Sequence, residues 1–182
     1  MKQILSFLAC IIAAISVHAA SVGWNVATGS ADYAGKAYNV FVIGQNGVTS
    51  VSQITALLDQ GKDVSSYAFG SGTLNTAGAG SVQAASSGKS ITPESYPATL
   101  TSFAVVFDAA TPGASSKYVA ISGQANQTKT LSSATAGSVT FATGNANSIV
   151  SNANNWHPIP EPTTVALLAL GLAALGLKRK VA

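Results

Sequence analysis

Polar and apolar positions alternate with a period of two along several short runs of this chain. In 22–27, Val22, Trp24 and Val26 fall on one face. The stretch 37–43 is apolar almost throughout. Tyr38, Val40 and Val42 point one way, Phe41 and Ile43 the other, which predicts a strand covered on both faces. Phe103, Val105 and Phe107 alternate within 100–108. A further strand at 118–122 follows the turn residues Thr111-Pro112-Gly113, so the two form a hairpin with a longer loop. Val139 and Phe141 point inward within 138–143. β-branched and aromatic residues dominate each run.

One segment changes period. Ser50-Val51-Ser52-Gln53 matches a capping box, in which the hydroxyl accepts a backbone N–H and the amide reaches back. Val51, Ile54, Leu57 and Leu58 then share a helical face, and Gly61 supplies a stop. A short amphipathic helix is predicted at 51–60. The stretch 73–90 lacks a pattern and reads as a long loop or a poorly paired edge. The stretch 145–155 is rich in Asn and Ser and reads as a last strand fraying into a linker. The class is mainly β: an antiparallel β-sandwich or jelly roll with one short helix. That body spans 20–151, and a linker follows at 152–158.

Both ends are specialised. Lys2, an apolar run at 4–17 and the sequence Val17-His18-Ala19 follow the order of a secretory signal peptide. Cleavage is expected after Ala19, with Ala20 as the alternative, so 1–19 is a signal helix read by the Sec translocon and signal peptidase. The sole cysteine, Cys10, lies inside it. Cleavage then leaves no thiol for disulfides, catalysis or metal binding.

The formal charge of +3 does not imply a nucleic-acid partner. In the body, Lys36, Lys62, Lys89, Lys117 and Lys129 balance Asp32, Asp59, Asp63, Glu94 and Asp108. The excess cations are in the terminal segments.

The C-terminal segment, 159–182, has three parts in order. Pro160-Glu161-Pro162 is short and stiff, because each proline fixes φ and extends the residue before it. An uncharged apolar run, 163–177, follows, and Lys178-Arg179-Lys180 closes it. At 1.5 Å per residue such a helix reaches about 22 Å, short of a hydrocarbon core of about 30 Å. It reads as a short transmembrane helix, with Lys178, Arg179 and Lys180 held on the cytoplasmic side and the body outside.

These three parts, with a signal peptide at the other end, resemble the PEP-CTERM sorting domain of exported bacterial proteins. The resemblance covers 159–182 alone. It implies that the chain is a substrate of exosortase, a membrane transpeptidase-like enzyme that recognises Pro160, Glu161 and Pro162 and removes the tail. It further implies a body tethered to the membrane and then delivered to the cell surface or extracellular polymer, in an exopolysaccharide or biofilm setting.

The body offers little catalytic chemistry. After signal removal His157 is its only histidine, and no G-x-S-x-G elbow, P-loop or calcium loop is present. No catalytic residue, metal ligand or cofactor is expected, and an exported structural protein is the first reading. A carbohydrate-binding module is the alternative, using aromatic rings to stack on sugars, with Trp24 and Trp156 foremost and Tyr33, Tyr67 and Tyr96 behind them. A polysaccharide hydrolase is the second alternative, using a pair from Asp59, Asp63, Glu94 and Asp108. Ice binding would need regular threonine arrays, of which only Thr128-Lys129-Thr130 is visible. Asn126-Gln127-Thr128 matches a glycosylation sequon that is read as chance.

Overall fold

The computed structural model describes residues 21–83, 91, 93, 95–132 and 138–161. The expected signal helix with its Ala19/Ala20 cleavage point lies outside these residues, as do Pro162, the transmembrane run 163–177 and Lys178 to Lys180. Among the described residues no helix is long and apolar enough to cross a membrane.

The body is mainly β and is built in three layers. A small sheet has the order β4-β1-β8, from β1 (Ser21–Ala27), β4 (Ala79–Gln83) and β8 (Ser138–Ala142). A large sheet has the order β3-β2-β5-β6-β9, from β2 (Ala37–Val42), β3 (Gly70–Thr73), β5 (Ala98–Phe107), β6 (Lys117–Ile121) and β9 (His157–Pro158). A further strand, β7 (Thr128–Leu131), pairs with the N-terminal half of β5. The α-helices among the described residues are α1 (Val51–Leu58) and a single turn, α2 (Asn147–Val150).

The side-chain alternation read from the sequence is what stacks these layers. Val22, Trp24 and Val26 of β1 and Phe141 of β8 meet Tyr38, Val40, Val42, Ala104, Val106, Val119 and Ile121 between the sheets. The opposite face of the large sheet carries Ala37, Phe41, Phe103, Val105, Phe107 and Tyr118 under Ile54 and Leu58 of α1. β2 is therefore covered on both sides, and every residue in it is buried. The hairpin of β5 and β6 forms as expected, across a 3-10 turn at Pro112–Ala114.

α1 starts and stops on side-chain chemistry. The Ser50 hydroxyl accepts the Gln53 amide at 3.1 Å, while the Gln53 carbonyl oxygen accepts from Thr49 N at 2.6 Å. The returning bond thus reaches one residue beyond the cap itself. At the other end Gly61 adopts φ +68°. Gly61 N donates to Leu58 O and Lys62 N to Leu57 O, the paired bonds of a Schellman stop, which needs a left-handed residue.

Three expectations are corrected. The sandwich is not wholly antiparallel, because β1 and β8 pair in parallel, Val22 against Val139 and Trp24 against Phe141. Parallel neighbours cannot be joined by a tight turn, so nearly the whole body is threaded between them. The unpatterned stretch 73–90 does contain an edge, β4, but a well-paired one, antiparallel to β1 from Gly23 to Ala27. Residues 145–155 are not a fraying strand: they form α2 and a 3-10 turn at Ala153–Asn155, a helical turn beyond the one expected.

Between the pairings of β6 and β7 on β5, residues 122–127 bulge out. Gln127, 2% exposed, stitches the bulge. Its Nε2 donates to Ile121 O at 2.7 Å, its Oε1 accepts from Gln124 N at 2.9 Å, and its carbonyl accepts from the Ser102 hydroxyl. Buried polar groups of the interrupted ladder are thereby satisfied.

Candidate functional site

The chain from α2 to Glu161 runs over the body as a fastened strap, where the sequence suggested a linker at 152–158. Asn152 caps its own 3-10 turn through Asn154 N. Trp156, half-buried, stacks on Tyr33 with ring centroids 5.9 Å apart. Both rings turn their polar tips to one acceptor: Trp156 Nε1 and Tyr33 Oη each donate to Val150 O at 2.7 Å. Burial pushes the Tyr33 hydroxyl above the usual phenol range, and Asp32 adds to this. His157 and Pro158 then pair with Tyr118 and Lys117 of β6, and the exposed His157 ring stacks on Tyr118 at 5.4 Å.

Beyond β9 the strap meets a cleft of about 420 Å³. Leu58, Val64, Phe107 and Ile159 give it apolar lining, while 61–63 and the turn 112–116 form walls. Ile159 N donates to Ser116 O at 2.7 Å, and its half-buried side chain joins the core beneath α1. Pro160 passes directly over the helix stop, where a Cβ on Gly61 would lie 2.6 Å from Pro160 O. Pro160 and Glu161 are exposed. The first two residues of the Pro-Glu-Pro motif therefore stand at the lip of a folded cleft.

The carboxylates weighed for hydrolysis have local structural partners. Asp59 accepts the Tyr118 hydroxyl at 2.8 Å. Burial is the main reason that hydroxyl is pushed well above its ordinary range, and the Asp59 bond adds to it. Asp63 takes both the Ser65 hydroxyl and the Ser65 amide, which hold its carboxyl below the usual range. Asp108 closes the 109–115 loop by accepting Ser116 N, Ser116 Oγ and Lys117 N at 2.7–3.0 Å. Partial burial alone would raise Asp108, but these donors outweigh it and its carboxyl lies low. Glu94 lies outside the described residues. Among those residues no group of three or more His, Cys, Asp or Glu could hold a metal ion.

A depressed Asp108 contributes its full stabilisation above the pKa of its unfolded form, about 3.9, and that gain is lost as pH falls from there through its lower folded value. Asp108→Asn is thus expected to cost about 1–2 kcal/mol at neutral pH and far less in strong acid. Thermal melts of both proteins across pH 2 to 7 check this. A difference that persists undiminished at the acid end would contradict it.

The aromatic residues divide by depth. Trp24 is 3% exposed, packed against Phe69 and stacked on Phe141 at 5.5 Å. Its faces are closed to a sugar, which corrects its nomination as a glycan contact. Tyr67 and Tyr96 pack against the core, and Trp156 gives one face to Tyr33. The threonine motif, however, has a counterpart that the sequence reading missed. Thr130 faces Thr99 and Thr128 faces Thr101 across β5 and β7, hydroxyls 3.5 and 3.4 Å apart. That patch is two residues by two.

Compared with known families, residues 158–180 match the PEP-CTERM protein-sorting motif. The match includes the Pro-Glu-Pro sequence, the apolar run and the basic cluster, and it implies export and exosortase processing at the membrane. No curated protein and no solved structure matches the chain.

Proposed function

We propose that this chain is a structural protein of the cell surface or extracellular matrix, delivered there by its C-terminal sorting signal and without enzymatic activity of its own. The observation that carries the reading is the sorting motif at 158–180. On this reading the chain crosses by the Sec translocon and loses 1–19 to signal peptidase. It waits in the membrane on 163–177 with Lys178, Arg179 and Lys180 inside, and is then processed by exosortase at Pro160-Glu161-Pro162. The body joins extracellular polysaccharide as a near-neutral, cysteine-free domain that holds together by packing.

The body's polar chemistry supports a structural role. Asp59, Asp63 and Asp108 tie turns and helix ends, and Gln127 stitches a bulge. Trp156 fastens the strap through Val150.

Intact-mass analysis of the protein released by its native host tests the proposal. The expected species lacks residues 1–19 and ends near Pro160 to Pro162. A released species that still carries residues 177–182 would overturn the sorting reading.

A further inference from the structure

The proposed function needs an enzyme to take hold of the chain around Pro160, yet the structure already holds that chain elsewhere. We infer that the cleft between the end of α1 and the turn 112–116 is a docking seat for the sorting junction, and that exosortase must compete with it. The inference rests on the sorting reading above.

Four observations define the seat. Ile159 packs its side chain against the core beneath α1 and, with Pro160 and Glu161, forms one wall of the cleft, so the junction is part of the folded surface there. The Ile159 amide is spent on Ser116 O. The two residues before it are in strand pairing with β6. Gly61 leaves room for the Pro160 carbonyl that no other residue would leave. The seat reaches into the start of the motif, whose Pro160 and Glu161 line the cleft and are exposed.

Distance makes the competition direct. Only Glu161 and Pro162 separate Pro160 from the apolar run that begins at 163. At no more than about 3.6 Å per residue, Pro160 stands within about 11 Å of the start of that run. A membrane enzyme closing on an extended substrate on both sides of the motif would collide with β6 and the turn 112–116. The upstream side therefore has to lift out first. Local opening of a short paired segment, without unfolding of the body, is the natural route.

Two variants test this on the full chain. Gly61→Asn retains a residue tolerant of left-handed φ, so the helix stop survives, but its Cβ meets Pro160 O. Ile159→Ser removes the apolar side chain that holds the junction against the cleft and the core beneath α1, and the β2 and β5 amides report whether the rest of the body stays folded. Hydrogen exchange in detergent micelles reads the Ile159 amide for Gly61→Asn and the residue-159 amide for Ile159→Ser. It is expected to accelerate about tenfold or more in each, with amides of β2 and β5 unchanged. Pulse-chase labelling in the native host reads the conversion of precursor to trimmed protein, which is expected to be several-fold faster in both. Faster exchange with trimming at or below the wild-type rate in both variants would overturn the seat's role in processing. Unchanged exchange in both would show that the junction is not held there, and would overturn it equally. Absence of trimming in the wild-type chain would instead sink the sorting reading on which the inference rests.

Discussion

Trp24→Ala is expected to cost about 3–5 kcal/mol, the range for removing a large aromatic from a core. Against a total stability of about 5–15 kcal/mol, that leaves a marginal or unfolded body. The reason is position. Trp24 lies on the central strand of the small sheet, contacts Phe69 just before β3 of the large sheet and stacks on Phe141 of the parallel neighbour. Its removal empties the contact that joins both sheets. Trp24→Phe separates ring from amine: Trp24 Nε1 is buried with no hydrogen-bond partner, so the phenyl ring is expected to recover most of the loss. Denaturant unfolding of the two variants checks both statements. A Trp24→Ala protein as stable as wild type would mean that the ring is not part of the core.

Gly80→Val is expected to destabilise by about 3 kcal/mol through overpacking. A Cβ at Gly80 would lie 2.5 Å from the Tyr38 ring and 2.7 Å from its hydroxyl; one at Gly72 would lie 2.8 Å from the same hydroxyl. Gly72 pairs with Tyr38 in the large sheet, while Gly80 belongs to the small one. The Tyr38 side chain thus occupies the space that two glycines leave between the layers, and burial raises its phenol pKa. The ring is 1% exposed and cannot swing away. A cycle with Tyr38→Ala should show strong coupling, since the valine has nothing to strike once the ring is gone. Simple additivity in the unfolding energies would refute the contact.

What the sequence disclosed about the fold follows from where the information lies. β2, β5 and β8 were legible because they carry large apolar side chains at the strand period, and α1 because Ser50 and Gly61 punctuate it. β3 and β4 were not, since Gly-Ser-Gly-Thr and Ala-Gly-Ser-Val-Gln have little side chain to make a pattern. Their smallness answers Tyr38, a residue distant in the chain. α2 was hidden in an Asn- and Ser-rich stretch whose residues favour turns and caps over helix interiors. Trp24 and Trp156 illustrate the matching limit for the site. Residue type marks both as potential sugar platforms, but only packing reveals that one is core and the other a fastener. The sorting motif was readable because it is linear. Its seat was not, because residues near 61, 116 and 159 meet only when the sheet forms.

The parallel pairing of β1 with β8 bears on how the chain is made. A polypeptide threaded N-terminus first through a narrow channel, as the proposed Sec route requires, delivers β1 at once and β8 almost last. The small sheet therefore cannot close around its first strand until residue 142 has emerged. Closing so long a loop is entropically costly and slow. During that interval one edge of β1 is unpaired and Trp24 lacks the Phe141 ring that stacks on it. On that proposed route, the small sheet is completed only when the sorting tail is next in line to emerge.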